Sequence, residues 1–312
     1  MKRKLISAIA LSAVVGAGIV WFLTGPVHVD RTALQKLAPG DIKNGEQVFY
    51  AGGCASCHAA PNATGDAKLV LSGGHELKTD FGTFIAPNIS PSQAGLKDWT
   101  LAEFADAMLE GVGREGEHLY PSFPYTSYAR MKMQDVADLY AFMKTLPASD
   151  EASKPHDLSF PFNVRRGLGL WKMLYLDNAP VVALNEPDVQ LKRGQYLVEA
   201  MGHCGECHTP RTMLGGLDKS QWLAGALSAE VDSRGQRGIV PNITDGEGGI
   251  SSWSASDIAY GLESGFTPDF DSMGGAMTDV IANTSKLEPA DREAIAAYLK
   301  AIPAHKNGYV SK

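Results

Sequence analysis

Cys54-Ala-Ser-Cys57-His58 and Cys204-Gly-Glu-Cys207-His208 contain every cysteine of the 312-residue chain, and each Cys-x-x-Cys pair is followed at once by histidine. Cys-x-x-Cys-His is the attachment sequence of haem c. The two thiols can add to the two vinyl groups of a haem while the histidine reaches the iron from one face, so the cofactor cannot dissociate. A four-cysteine zinc site would need both pairs to converge on one metal and would leave the histidines unexplained. A thioredoxin-like pair would need a βαβ setting, which the pattern lacks. A disulfide across so short a loop is sterically poor. The motifs therefore point to two covalently bound haem c groups, each bringing one iron.

Beyond each motif the sequence repeats itself. Leu71-Ser-Gly-Gly74, Ala86-Pro-Asn-Ile-Ser90, Trp99-Thr-Leu-Ala-Glu-Phe104 and Glu110-Gly111 are answered, in the same order and nearly the same spacing, by Leu223-Ala-Gly-Ala226, Val240-Pro-Asn-Ile-Thr244, Trp253-Ser-Ala-Ser-Asp-Ile258 and Glu263-Ser-Gly265. Each copy closes on a helical pattern ending in proline, from Asp135 to Pro147 and from Asp291 to Pro303. This is the mark of an internal duplication. Each copy also opens on a short helix before its motif, carrying Gly45 or Gly194. Glycine is a poor helix former, and its recurrence predicts close backbone approach where two helices cross. Thr100 with Glu103 and Ser254 with Asp257 have the spacing of capping boxes, so a further helix should start after each tryptophan.

The chain is long enough for two domains with separate cores. Its net charge of −7 excludes a nucleic-acid binder, which needs a basic face. Lys2-Arg3-Lys4 precedes an almost wholly apolar run from Leu5 to Leu23, long enough to cross a bilayer and without a clear cleavage site behind it. The run reads as a retained membrane anchor, the alternative being a signal peptide. The basic flank would leave the remainder on the outer, periplasmic side of the cytoplasmic membrane. The expected organisation is thus an anchor over 1–25, haem domains over 38–148 and 188–305, and a connector over 149–187. Aromatic residues from Phe160 to Tyr175 predict that the connector is ordered. The expected fold class is all-α, two tandem haem domains behind a transmembrane helix.

His58 and His208 are the proximal iron ligands on this reading. A carbonyl near Pro61 or Pro210 is close enough in sequence to orient each ring. Haem propionates need donors, for which Trp99, Trp253, Asn88, Asn242 and Arg211 are candidates, with core packing the competing role of the tryptophans. On the distal side Met277 in Gly274-Gly-Ala-Met277 leads for the second haem, with Met273 its local rival. The matching loop of the first copy, Tyr120-Pro-Ser-Phe-Pro-Tyr125, has Phe123 where the ligand is expected. Met131, His118 and an open iron are the alternatives there.

Gly202-His-Cys-Gly-Glu-Cys-His-Thr-Pro-Arg211, Phe84-Ile-Ala-Pro-Asn-Ile-Ser90, His118-Leu-Tyr-Pro-Ser-Phe-Pro-Tyr125 and Gly274-Gly-Ala-Met277 carry a resemblance to class I cytochromes c duplicated in tandem. More narrowly, the chain resembles the cytochrome subunits of periplasmic or membrane-bound dehydrogenases of alcohols, sugar acids and aldehydes. The resemblance implies a non-catalytic electron-transfer subunit. Its electrons would come from a dehydrogenase and leave to quinone, a soluble cytochrome or a terminal oxidase at the membrane. Those subunits commonly carry three haem domains, or a methionine before the Pro-Tyr of the first loop, where this chain has Phe123. The competing class is a dihaem enzyme. A cytochrome c peroxidase would need an open haem and a distal acid-base group, for which only Glu117 and His118 offer themselves. A thiosulfate-oxidising cytochrome would want a thiolate ligand, and no cysteine is spare.

Overall fold

The computed structural model describes residues 2–232 and 234–309; within the first helix the side chains at 2, 3, 5, 8–10, 13 and 17 also lie outside the described set. That helix, α1, runs Lys2–Leu23. Among the described residues no helix is long and apolar enough to cross a membrane. The expected single-pass anchor over 1–25, and the membrane localisation drawn from it, are corrected accordingly. Ser7, Ser12, Gly16 and Gly18 interrupt the apolar run, and part of its basic flank, at Lys2 and Arg3, falls outside the described side chains. The end of α1 is held by protein contacts. The buried Thr24 turns its hydroxyl back onto the carbonyl of Val20 at 2.7 Å, and the Arg166 guanidinium lies 4.1 Å over the Trp21 ring.

Short α2 (Arg31–Leu34) leads to α3 (Ile42–Ala51), which Asp41 starts by accepting from the amides of Lys43 and Asn44. The first motif forms α4 (Cys54–His58). Thr100 opens α5 (Leu101–Ala105) in a complete capping box with Glu103. The one-turn α6 (Tyr125–Tyr128) and α7 (Met133–Met143) follow. The second half is built in the same order after the connector helix α8 (Leu168–Tyr175). Asp188 caps α9 (Val189–Tyr196), the second motif forms α10 (Gly205–His208), and Ser254 with Asp257 boxes the start of α11 (Ala255–Ser264). Then come α12 (Met277–Thr284) and α13 (Pro289–Ala301).

In each half the opening helix crosses the closing one, α3 on α7 and α9 on α13. The glycines are the crossing points. A Cβ on Gly45 would lie 2.0 Å from the carbonyl oxygen of Asp138, and one on Gly194 would lie 1.9 Å from that of Ala294. Both backbones would have to part to admit a methyl group. Gly194→Ala is therefore expected to cost about 1–3 kcal/mol, the range for overpacking a closed interface, read as a lowered midpoint of thermal unfolding in the haem-loaded protein. Around the crossings one apolar cluster runs through both halves, from Val48, Phe49, Leu139 and Phe142 to Leu197, Val198, Ile295 and Tyr298.

The all-α expectation is corrected by two small sheets. β1 (Glu76–Thr79) and β2 (Gly82–Ile85) form an antiparallel hairpin with Glu76 opposite Ile85, and β3 (Asp157–Leu158) of the connector pairs with β2. β4 (Ala226–Leu227) pairs with β5 (Ile239–Val240) in the second half. These pairings join loops too short for a hydrophobic alternation to announce them. The connector is ordered, as its aromatics suggest. Besides β3 and α8 it supplies Lys172, whose Nζ donates to the carbonyls of Glu110 at 2.7 Å and Gly111 at 2.6 Å where the α5 segment ends. A cation there satisfies carbonyls that a helix end leaves without partners.

Candidate functional site

Each motif is a single helical turn entered through a left-handed residue, Gly53 at φ 58° before Cys54 and His203 at φ 38° before Cys204. The turn places both sulfurs of a pair beside the following histidine. Crowding by protein atoms pushes the thiols up, to about 12 at Cys54, about 11 at Cys57 and about 12 at Cys204, with Cys207 raised in the same way. Thiols held protonated at neutral pH do not suit a thiolate redox pair, which needs its lead sulfur ionised. Among the described residues no three His, Cys, Asp or Glu side chains are grouped to hold a metal ion.

The histidines are oriented alike. His58 donates from Nδ1 to the carbonyl of Pro87 at 2.9 Å, and His208 does the same to Pro241 at 2.7 Å, since a carbonyl can only accept. Burial holds both rings below the usual imidazole range, an effect the carbonyl partly offsets. A neutral ring whose Nδ1 keeps the proton leaves the Nε2 lone pair for iron. The residues thus fit a covalently held haem, with two sulfurs and one oriented imidazole nitrogen at each site. The expected acceptors near Pro61 and Pro210 are corrected. The carbonyls come instead from the repeated Pro-Asn-Ile segments, which the duplication itself marked but which only folding brings to the histidines.

The other candidates divide by what already occupies them. Asn88 gives both amide protons to the carbonyls of Ser149 and Glu151, each at 2.7 Å, and accepts from the Ser90 amide. Asn242 donates to the His305 carbonyl at 2.9 Å and accepts from Thr244. These asparagines tie each closing segment back to its Pro-Asn-Ile loop, so Asn88 has no proton left for a propionate. The guanidinium of Arg211 spans the Gly215 carbonyl and the Glu206 carbonyl and carboxylate, the last at 2.8 Å, which leaves the Nε–H and one Nη1–H uncommitted. Trp99 and Trp253 are half-buried against the core, and neither indole N–H has a hydrogen-bond partner among the described residues.

Met131 and His118 part company in space. Met131 is buried and lines a cavity beside Cys54 with Val48, Met108, Tyr128 and Met201. His118 is equally buried but donates from Nε2 to the Thr24 carbonyl at 2.9 Å and faces a different cavity, with Glu110, Lys172 and Leu176. In the second half Met273 is lodged against α11, where its methyl would stand 2.6 Å from a Cβ on Gly261. Met277 opens α12 half-buried.

Sequence reasoning missed how each motif meets the other half of the chain. Glu206, inside the second motif, accepts from Thr126 at 2.8 Å and Ser127 at 2.9 Å on α6 of the first half. Asn283 on α12 donates to Ser56 inside the first motif at 3.0 Å, and the Cys207 sulfur is close enough to add to the upward push on Cys57.

Residues 42–147 match the family model described as cytochrome c. The chain is 54% identical over 307 residues to a protein of Cereibacter sphaeroides named "Diheme cytochrome c-type", covering 97% of this chain and 99% of that one. It is 35% identical over 267 residues to the fructose dehydrogenase cytochrome subunit of Gluconobacter japonicus, covering 84% of this chain and 53% of that protein. It is 34% identical over 278 residues to the cytochrome c subunit of an alcohol dehydrogenase (quinone) of Gluconobacter oxydans, covering 86% and 56%. The chain spans nearly all of the first relative and about half the length of the two dehydrogenase subunits. With its paired attachment motifs and oriented histidines, the chain belongs to the cytochrome c family as a dihaem cytochrome with two covalently bound haem c groups.

Proposed function

We propose that this dihaem cytochrome takes electrons from a dehydrogenase and passes them across its two haems to a second redox partner, a quinone, a soluble cytochrome or a terminal oxidase. The observation that carries the reading is that each motif is bonded to a helix of the other half, Glu206 of the second to α6 and Ser56 of the first to Asn283 on α12. Packed in this way, two redox centres can exchange electrons within one chain. The names of the relatives support the donor class, since they include cytochrome subunits of fructose, alcohol and gluconate dehydrogenases.

In this reading the chain is divided into haem domains over 38–148 and 188–305 joined by the connector 149–187. Cys54 and Cys57, with Cys204 and Cys207, hold the haems, and His58 and His208 are the proximal ligands. The haem supplies reversible one-electron chemistry, and the protein sets its potential through axial ligands, hydrogen bonds and burial. Pro87 and Pro241 hold the imidazoles at a fixed angle and raise their basicity. Met277 and Met131 serve as distal ligands, a thioether on each haem raising its potential. His118 lines a different cavity, with Glu110, Lys172 and Leu176, which speaks against it as the ligand of the first iron.

Stopped-flow mixing of the oxidised protein with a substrate-reduced alcohol or sugar-acid dehydrogenase tests the reading. The expected result is reduction of both haems without consumption of hydrogen peroxide added separately. Rapid peroxide turnover, or a high-spin ferric signal from half of the haem as isolated, would replace the carrier with a dihaem enzyme.

A further inference from the structure

The residue before each motif differs in kind. The first motif is preceded by glycine, at ease at φ 58°, whereas the second is preceded by His203 held at φ 38°, a region that favours glycine. A strained backbone at a functional site asks what its side chain gains. The His203 ring reaches across to the other half and donates from Nε2 to the carbonyl of Gly52 at 3.1 Å, two residues before Cys54. The same carbonyl accepts from the Tyr128 hydroxyl at 3.4 Å, and the Tyr128 and His203 rings meet edge to face with centroids 5.6 Å apart. Tyr128 lines the cavity beside Cys54 and belongs to α6, whose Thr126 and Ser127 hold Glu206 in the second motif.

We infer that His203 is a positioning residue that sets the spacing and contact of the two haem sites. It does so by joining Cys204 to Cys54 through the bond from its Nε2 to the Gly52 carbonyl. The inference rests on haem attachment at both motifs. The path between the attachment sulfurs runs along the backbone from Cys54 through Gly53 to Gly52, across one hydrogen bond to the His203 ring, and along the backbone to Cys204. Packing alone would not need a donor at this place, since an apolar ring would meet Tyr128 as well. The step it serves moves one electron from ferrous iron at one site to ferric iron at the other. No bond is made or broken, and the Gly52 amide takes up no proton.

The test uses the full-length, haem-loaded protein with His203→Leu, His203→Gln and His203→Gly. Haem per chain is counted by pyridine haemochrome, the magnetic coupling of the two ferric irons by electron paramagnetic resonance, and the inter-haem rate by photoreduction. Fewer than two haems in the unaltered protein would strike at the attachment reading and not at His203. With two haems bound, His203→Leu is expected to weaken the iron–iron coupling. It should also slow the inter-haem step roughly tenfold, within the scale on which small misplacements of reacting groups are felt. His203→Gln, which keeps a side-chain donor, should recover most of both. His203→Gly relieves the backbone and removes the donor, so it supplies the same answer if leucine impairs haem loading. Coupling and rate equal to the unaltered protein in the leucine or glycine variant overturn the inference.

Discussion

Replacing Met131 with alanine is expected to open one of the two haem irons while leaving both haems attached. The ferric spectrum should gain a high-spin component from half of the haem, and that half should bind cyanide, which the unaltered protein is expected to exclude. The reason is the position of Met131 in the wall beside Cys54, buried next to Val48, Met108 and Tyr128, where a thioether has no competing partner. His118→Ala is the matched control. Its ring lines a separate cavity walled by Glu110, Lys172 and Leu176, so its loss should leave the haem spectrum unchanged. Met277→Ala should open the other iron, and Met273→Ala should not, because Met273 fills the space over Gly261. Loss of a thioether ligand also lowers the potential of the affected haem, so spectroelectrochemical titration provides a second reading. A spectrum unaltered by Met131→Ala and altered by His118→Ala would reverse the assignment.

The second large effect is expected from Cys204→Ser combined with Cys207→Ser. Serine cannot form the thioether bonds, so covalent haem should fall from two per chain to one, measured after acid–acetone extraction. The remaining haem should keep the spectrum of the first site, because α3 and α7 form their own crossing around Gly45 and Asp138. The converse pair, Cys54→Ser with Cys57→Ser, should leave the second haem alone. Full haem content in either double variant would refute attachment at that motif.

Local signals in the chain carried the reading a long way. The attachment motif is a covalent instruction with fixed spacing, and the repeat around it needs no knowledge of the fold. The capping boxes at Thr100 with Glu103 and Ser254 with Asp257 span only three residues, and both formed as their spacing predicts. Gly45 and Gly194 announced close helix crossings, because a glycine weakens a helix and its recurrence there marks a place where a side chain does not fit.

What escaped the sequence depends on partners distant along the chain. The Pro87 and Pro241 carbonyls could not be told from those of Pro61 and Pro210, since any backbone carbonyl is chemically equivalent until folding brings one to the imidazole. Asn88 looked available as a donor until its bonds to Ser149 and Glu151 were seen, and Arg211 proved partly committed to Glu206. The apolar N-terminal run suggested a membrane span, yet no described helix has the length and apolarity to cross one. The β2 to β3 pairing lies in strands too short for periodicity to mark. The amino-acid sequence by itself determined that two haems are attached and by which residues the helices after each tryptophan begin, because covalent chemistry and capping act over a few residues. Only the tertiary structure decided which carbonyls hold the histidines, which of Met131 and His118 lines the cavity beside Cys54, and that His203 and Glu206 bond to the first half. Those are choices among chemically similar groups, and distance in the folded chain makes them.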